Sequence, residues 1–407
     1  MSQLDRIVVV GASLAGLRAC ENLRTRGFEG EIVLVGGEAH RPYDRPPLSK
    51  KVLAGEWAGE QIELRKGEPF DQLDLDLRLG VRATALDPQT RTLTLADGET
   101  LTYDGLILAV GATCRRLPGQ EEIEGVHELR TLDDSLALRD RLADGTARVV
   151  VIGAGFIGLE VAATARSKGC DVTVLEGAEA PMMRGLGAEM GAKAATVHRD
   201  RGVDVRCSVT VAGLLTEDGR VTGVELGDGS VVPADVVVVG IGVSPDTQWL
   251  EGSGLTLSDG IECDELLSTG LPFVYAAGDC CRWTNPLFGE TARIEHWTIA
   301  AEQGAHAAAN LLAEAAGDER TPYAPVPFFW SDQFDRRIQF LGRSTDVDEI
   351  VLVHDDPETG KFVALYRSGD RLRGALGLSM PRQLMSFRAL LAGQVSWDEA
   401  LEYAASI

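Results

Sequence analysis

Apolar and polar residues alternate along this chain in a pattern that opens with a short apolar run and a glycine-rich turn. The run Arg6–Val10 is followed by a segment, 14–26, in which apolar residues recur every three positions. Those residues are Leu14, Leu17, Cys20 and Leu23. This spacing predicts a helix, and the apolar segment 31–35 predicts the strand that follows it.

The same pattern returns in the middle of the chain. The apolar run Arg148–Ile152 leads through a glycine-rich turn into a second helical pattern, and Asp171–Leu175 reads as the next strand. One face of the second helix is expected to carry Ile157, Val161 and Ala165. Each copy predicts a βαβ unit of parallel strands, whose carboxyl ends form a binding edge.

The remaining segments are shorter and point to further domains. Asp97-Gly98 and Asp228-Gly229 each separate two apolar runs, which is typical of hairpins. After the proline-rich segment 322–327 come short strands and a closing helix, predicted at 381–392. We therefore predict an α/β protein with three domains. The first domain comprises 1–112 and 246–325, the second is inserted at 113–245, and a C-terminal α+β domain covers 326–407.

The two glycine-rich turns indicate the chemistry. Glycines at the first, third and sixth positions of such a turn allow a tight bend, close approach of a pyrophosphate, and packing of the helix on the strand. The second turn has all three, Gly153, Gly155 and Gly158, whereas the first has Ser13 between Gly11 and Gly16. Two such turns in one chain predict two bound dinucleotides, and electron transfer between them.

Composition narrows the functional classes. The chain has 407 residues and a net charge of −23, which disfavours binding to nucleic acid or to an anionic membrane. No apolar run approaches the length of a membrane span, and the first strand starts too early for a signal peptide, so a cytoplasmic location is expected. The seven cysteines form no C-x-x-C motif, so neither a disulfide framework nor a metal site is predicted.

Acidic residues near the carboxyl ends of predicted strands are candidate ribose ligands. Glu38 is the candidate after the first turn, and Glu176 after the second. No arginine adjoins Glu176, so a 2′-phosphate should be repelled and NADH preferred over NADPH, although Arg184 is near enough to reach a cofactor phosphate. Asp279 ends another apolar strand and is placed to bind a polyhydroxylated chain.

Four segments resemble one known family. They are R-P-Y-D-R-P-P-L-S-K at 41–50, A-A-G-D at 276–279, E-H-W at 295–297 and F-W-S-D-Q at 329–333. They resemble the FAD-dependent ferredoxin–NAD(P) reductases that serve bacterial cytochrome P450s and Rieske-type oxygenases. The resemblance implies a glutathione-reductase-like fold, with an NAD domain inserted in an FAD domain and a C-terminal domain. It also implies non-covalent FAD, NADH as substrate and a small ferredoxin as partner.

The resemblance also assigns site residues. For FAD it implies Gly11, Ser13, Leu14, Ala15, Gly16, Glu38, Arg41, Lys50, Ala83, Gly111, Arg130, Gly278, Asp279, Trp297 and Trp330. For NADH it implies Gly153, Gly155, Phe156, Ile157, Gly158, Glu160, Glu176, Arg184 and Gly242. This chain departs from the family at Gly37, where an acidic residue is usual, so either Glu38 takes over that contact or the contact is lost.

Lys50 and Glu160 are the predicted catalytic residues. The resemblance places a lysine near flavin N5, where a cation stabilises the negative charge that arrives with hydride. In the family the matching glutamate faces the matching lysine, so the resemblance implies an ion pair between Lys50 and Glu160. A buried lysine without such a partner would lose its charge. Phe156 is expected to form part of a lid over the flavin.

The electron acceptor is expected to be another protein. The segment 42–51 contains no cysteine, and Cys20 belongs to a helix core, so no internal disulfide is available to accept electrons. A small ferredoxin is the expected acceptor, docked through a surface patch that includes Arg336, Arg337 and Arg382. The enzyme is expected to be a monomer or a weak dimer. Two alternatives stay open: reduction of a small acceptor such as a quinone or monodehydroascorbate, and an NADH-sensing flavoprotein switch.

Overall fold

The computed structural model describes residues 4–65 and 70–407, which divide into two compact units. The first unit combines the chain up to Asp44 with Glu60–Thr113 and Ser244–Pro327. The second combines Arg45–Gly59, Cys114–Val243 and Phe328–Ile407. The segment Arg45–Gly59, which carries Lys50, is therefore part of the second unit.

A parallel five-stranded sheet forms the centre of the first unit. Its strands, in spatial order, are Val274–Ala276, Gly105–Leu108, Arg6–Val10, Glu31–Gly36 and Leu75–Leu79. Ile7, Val8 and Val9 are fully buried, as expected for a parallel strand covered on both faces. The helix Leu14–Thr25 packs its apolar side into the same core, and Cys20 in it is buried as predicted.

Smaller elements complete the first unit. An antiparallel sheet contains Ala83–Asp87, Thr92–Leu95 and Thr100–Thr102, and a mixed sheet contains Leu257–Ser258, Gly260–Cys263, Cys281–Asn285 and Glu290–Arg293. Short 3₁₀ turns lie at Phe70–Leu73, Gln248–Leu250 and Gly278–Cys280. The long helix Trp297–Ala316, which the sequence analysis missed, packs so closely on the first helix that a Cβ on Gly304 would lie 2.0 Å from the Ala15 carbonyl oxygen.

The second unit repeats the parallel arrangement. Its central strands are, in order, Asp204–Arg206, Asp171–Leu175, Arg148–Ile152, Val236–Val239 and Val126–His127. The helices of this part are Leu132–Arg141, Phe156–Ser167, Met183–Leu186, Ala188–Ala194 and Thr196–Asp200. An antiparallel sheet follows, with strands Val211–Glu217, Arg220–Leu226 and Val231–Pro233. Both predicted Asp-Gly hairpins, one in each unit, are confirmed.

The C-terminal part of the second unit is an antiparallel sheet covered by helices. The strands, in order, are Phe328–Gln333, Arg336–Gly342, Arg371–Leu378, Lys361–Ser368 and Glu349–Asp356. The predicted closing helix at 381–392 is wrong in detail, because it is two helices, Pro381–Ser386 and Arg388–Ala392. A further helix, Trp397–Ser406, was missed although Ser396 and Glu399 form a capping box at its start.

Two further observations bear on the predictions. Val161 and Ala165 are fully buried, but Ile157 is 46% exposed, so the buried face of the second helix does not include Ile157. Within the described parts of the chain, no helix is both long and apolar enough to cross a membrane.

Candidate active site

The first glycine-rich turn is shaped for close backbone approach. Gly11 has a φ of +117°, and a Cβ there would lie 2.0 Å from the carbonyl oxygen of Ala109. The helix then begins at Leu14, with Ser13 as its N-cap residue. A Cβ on Gly16 would lie 1.9 Å from the Gly11 carbonyl oxygen, so this glycine lets helix and strand pack. The turn therefore presents a helix N-terminus at the carboxyl edge of the sheet, where phosphates bind.

Other predicted FAD residues follow neighbouring strands of the same parallel sheet. Gly111 and Glu38 come after the strands that flank Arg6–Val10, and Gly278 and Asp279 after the edge strand. The hydroxyl of Tyr43 donates a hydrogen bond to the Glu38 carboxylate. The Asp279 carbonyl oxygen accepts from Arg293 Nη1 at 3.0 Å. These four predicted FAD residues thus all follow the carboxyl ends of strands in this sheet.

Three more predicted residues lie elsewhere in this unit. Trp297 begins the long helix, and its indole N–H donates to the Asp44 carboxylate at 2.6 Å. The Arg41 guanidinium lies 5.4 Å from the Phe70 ring centroid. Ala83 begins an antiparallel strand.

Gln303 tests whether this unit fits a bound dinucleotide. It is fully buried, and its Oε1 accepts the backbone N–H of Gly278 at 2.8 Å. Its Nε2 makes no hydrogen bond within the described chain. Leaving a buried donor unpaired costs about 1–3 kcal/mol, so a partner outside the chain is expected. A phosphate or ribityl oxygen is such an acceptor, and the residues fit FAD.

The second glycine-rich turn has the same construction. Gly153 has a φ of +106°, and a Cβ there would lie 2.3 Å from the Gly240 carbonyl oxygen. A Cβ on Gly158 would lie 2.2 Å from the Gly153 carbonyl oxygen. Beside Gly155, by contrast, no described atom lies within 4 Å of the Cβ position. This side of the turn is open, which fits a pyrophosphate at the N-terminus of Phe156–Ser167.

Glu176 holds the second turn from the next strand. Its Oε2 accepts the Ala154 N–H at 2.7 Å, and its Oε1 accepts the Ala178 N–H at 2.8 Å. Arg184 lies near Gly242, with Nη1 3.8 Å from the position of a Cβ on that glycine. Phe156 packs edge-on against Phe329, with ring centroids 4.8 Å apart. These predicted nicotinamide-site residues all belong to the second unit.

The predicted ion pair between Lys50 and Glu160 is confirmed. Lys50 Nζ lies 2.6 Å from Glu160 Oε2, within the second unit. Lys50 belongs to a wide helical turn, Leu48–Val52, anchored where the Ser135 hydroxyl donates to the Leu48 carbonyl oxygen at 2.7 Å. The exposed fraction of the side chain is 20% for Lys50 and 7% for Glu160. The lysine head is therefore held in place, but it remains partly accessible.

Sequence reasoning missed the other ligands of the Glu160 carboxylate. The Ser49 hydroxyl donates to Oε2 at 2.5 Å, and the Ser331 hydroxyl donates to Oε1 at 2.6 Å. Ser331 and Gln333 are two residues apart on one strand and so share its buried face. Two polar residues on that face were the signal that could have revealed them.

The last two predicted FAD residues also belong to the second unit. Trp330 lies on the other face of the strand from Ser331, and its ring stacks on Phe328 at 6.1 Å. Arg130 precedes the helix Leu132–Arg141, and its N–H donates to Asp134 at 3.0 Å.

Two of the three predicted docking arginines lie beside aspartates. Arg337 makes two hydrogen bonds to the Asp332 carboxylate, at 2.6 and 3.0 Å. Arg336 lies 3.9 Å from Asp335. Arg382 is exposed near the start of the helix Pro381–Ser386. The aspartates offset part of the positive charge of this patch.

Two phosphate-binding turns in one chain, each at the carboxyl edge of its own parallel sheet, define an oxidoreductase that uses two dinucleotides. The chain belongs to the pyridine nucleotide-disulphide oxidoreductase family, which it matches over residues 5–304. Residues 328–405 match a second family, described as reductase C-terminal. FAD and a pyridine nucleotide are accordingly the cofactors of this enzyme.

Similar proteins extend over nearly the whole chain. Rhodocoxin reductase from Rhodococcus erythropolis is 39% identical over 390 residues, which cover 96% of this chain and 90% of that protein. The ferredoxin–NAD(+) reductase component of the anthranilate 1,2-dioxygenase system from Burkholderia cepacia is also 39% identical, covering 95% of this chain and 94% of its own.

A solved structure gives the same result for the fold. The covalent putidaredoxin reductase–putidaredoxin complex matches with a TM-score of 0.91 and 32% identity, covering 99% of this chain and 98% of that chain. The predicted fold class, two Rossmann-type domains with a C-terminal α+β domain, is confirmed.

Proposed function

We propose that this enzyme is an NADH-dependent ferredoxin reductase whose ferredoxin supplies a cytochrome P450 or a Rieske-type oxygenase. The observation that carries the proposal is the Lys50–Glu160 ion pair, whose lysine lies in a segment without cysteine, 42–51. Bound FAD would supply the chemistry, which is acceptance of an electron pair as hydride from NADH and release of single electrons to an iron–sulfur protein. The names of the two similar reductases support this acceptor.

Lys50 supplies the cation for hydride transfer. Its ammonium group is held by Glu160 at 2.6 Å and by the Ser49 hydroxyl at 3.2 Å, so it needs no reorganisation when charge arrives on the isoalloxazine ring. Glu160 accepts hydrogen bonds from three side chains, which fix its carboxylate beside the Lys50 ammonium group. Lys50 thus offsets negative charge without itself transferring a proton.

The second unit binds NADH in this proposal. The open side of the turn at Gly155 receives the pyrophosphate, and Arg184 neutralises part of its charge. Glu176 accepts a hydrogen bond from the ribose 2′-hydroxyl and repels a 2′-phosphate. Phe156, packed edge-on against Phe329, would form part of a lid over bound FAD.

Electrons then leave to an external protein. Cys20 and Cys280 are buried thiols whose pKa burial raises to about 12, so neither forms a reactive thiolate. We place the docking site around Arg382, which is exposed. The cytoplasm is the proposed location, because all seven cysteines are unpaired thiols, as expected in a reducing compartment.

The test is anaerobic electron transfer from NADH with three acceptors offered separately: a [2Fe–2S] ferredoxin, a benzoquinone and monodehydroascorbate. We expect the highest kcat/KM with the ferredoxin. A higher value with either small acceptor would contradict the proposal. A long-wavelength charge-transfer band that persists in air and resists added ferredoxin would instead indicate an NADH-sensing switch.

A further inference from the structure

A chain of buried hydrogen bonds extends from Glu160 into the interior of the second unit. The Ser331 hydroxyl donates to Glu160 Oε1 at 2.6 Å, and Gln333 Nε2 donates to the Ser331 oxygen at 3.1 Å. Gln333 Oε1 lies 2.9 Å from His198 Nε2. Ser331 is 1% exposed, and Gln333 and His198 are fully buried. These groups are therefore shielded from bulk solvent.

The direction of every bond in this chain follows from the carboxylate at its end. An ionised carboxylate only accepts, so the Ser331 hydroxyl must donate its proton to Glu160. The Ser331 oxygen then accepts from an amide N–H, which orients Gln333 with Nε2 toward the serine. Its Oε1 therefore faces His198, which must carry its proton on Nε2. One orientation of the Gln333 amide satisfies all three neighbours.

Gln333 is also linked, through Met182, to the second glycine-rich turn. Its Nε2 lies 3.7 Å from the Met182 sulfur. Met182 is a buried non-glycine residue with a φ of +51°, and its N–H donates to the Ala154 carbonyl oxygen at 2.9 Å. Ala154 belongs to the glycine-rich turn, and its N–H is the group that Glu176 holds. The Gln333 amide thus contacts both Met182, which supports this turn, and Ser331, which supports Glu160.

We propose that Gln333 is a positioning residue that, through Ser331, orients the Glu160 carboxylate so that it holds Lys50 for hydride transfer. The inference rests on the proposed function of Lys50, but its central claim concerns this chain alone. It predicts that the Lys50 ammonium group becomes more mobile and more reactive when Gln333 or Ser331 is changed, whichever acceptor the enzyme serves.

Limited acetylation of the purified holoenzyme, read by tandem mass spectrometry, measures that claim directly. Lys51, next to Lys50, lies over the Trp57 ring at 4.3 Å and serves as the internal reference. In Ser331→Ala and in Gln333→Leu we expect the Lys50/Lys51 acetylation ratio to rise about threefold or more, because each removes a hydrogen bond that supports a charged group. In Ser331→Ala the rate of flavin reduction at saturating NADH should fall by a similar factor, with the Kd for NADH unchanged.

The double variant tests whether Gln333 acts on Glu160 through Ser331. Because Gln333 acts through Ser331, adding Gln333→Leu to Ser331→Ala should change the ratio no further. Tyr366→Phe is the matched control, since it removes a buried hydrogen bond from Tyr366 to the Leu186 carbonyl oxygen in the same unit, away from Glu160. This control should leave the ratio unchanged.

Three results would overturn the inference. They are an unchanged ratio in folded Ser331→Ala, additive effects in the double variant, and an equal rise in Tyr366→Phe, which would indicate general loosening. The proposed function can fail separately. If the wild type reduces no ferredoxin but the variants raise the Lys50/Lys51 ratio as described, the proposed acceptor is wrong and the role of Gln333 stands.

Discussion

The carboxylate of Glu176 accepts a hydrogen bond from the backbone N–H of Ala154, inside the second glycine-rich turn, at 2.7 Å. The residue expected to select the nucleotide therefore also supports the turn that we propose binds the pyrophosphate. Removing the side chain would disturb both, so a truncation alone cannot separate charge from support.

Glu176→Gln separates the two roles. The amide oxygen still accepts from Ala154 within the turn, the hydrogen bond from the Ala178 N–H is lost, and the negative charge that repels a 2′-phosphate is gone. We expect the ratio of kcat/KM for NADH over NADPH to fall about tenfold or more, mainly through better use of NADPH. Steady-state kinetics with both nucleotides measure the ratio. An unchanged ratio would refute the proposed role of Glu176 in specificity.

Lys50→Met should slow flavin reduction by NADH by about a hundredfold, because a preorganised positive group is lost where charge develops. Stopped-flow absorbance at saturating NADH gives this rate. Lys51→Met is the matched control from the same helical turn and should stay within about twofold of the wild type. Equal losses in the two variants would mean that the turn itself, not the ammonium group of Lys50, matters.

Burial of His198 predicts an acid-sensitive fold. Burial, with smaller contributions from Arg199 and Arg201, lowers the pKa of His198 below its usual range. The unfolded chain therefore binds more protons below about pH 6.5, and stability falls as the pH drops through that value. The thermal midpoint of the holoenzyme should drop less between about pH 7.5 and 5.5 in His198→Gln than in the wild type. Equal drops would argue against this contribution.

Ferredoxin docking should depend on salt. Raising ionic strength screens surface charges beyond about 10 Å at 0.1 M, so ferredoxin reduction should slow while NADH-driven ferricyanide reduction changes little. Arg382→Glu should raise the KM for ferredoxin about threefold or more and leave the ferricyanide rate unaltered. If both acceptors respond alike to salt, the docking proposal is wrong.

Alkylation tests the absence of thiol chemistry. Cys20 and Cys280 are fully buried, whereas Cys114 and Cys207 are partly accessible. Iodoacetamide on the native holoenzyme should label only the accessible pair and leave the NADH-driven ferricyanide rate within about twofold, because buried thiols of raised pKa do not react. Loss of activity in step with labelling would point to a cysteine in the electron path.

Local patterns determined much of this protein from the sequence. The alternation of apolar runs, glycines and helical periodicity identified both βαβ units, because strand and helix formation depend on near neighbours. The same locality explains the errors. The alanine-rich helix Trp297–Ala316 gives little polar contrast, and the break at Phe387 interrupts a helix whose periodicity continues.

Tertiary structure alone decided how the site is supported. Ser331 and Glu160 are 171 positions apart, and their contact depends on which face of a strand is buried against which helix. The family resemblance paired Lys50 with Glu160, but only packing showed that Gln333 and His198 continue the chain behind them. Similarly, Asp332 offsets the charge of Arg337. A side-chain hydrogen bond requires donor and acceptor atoms to be placed to within about an ångström, and distant parts of the chain together determine those positions.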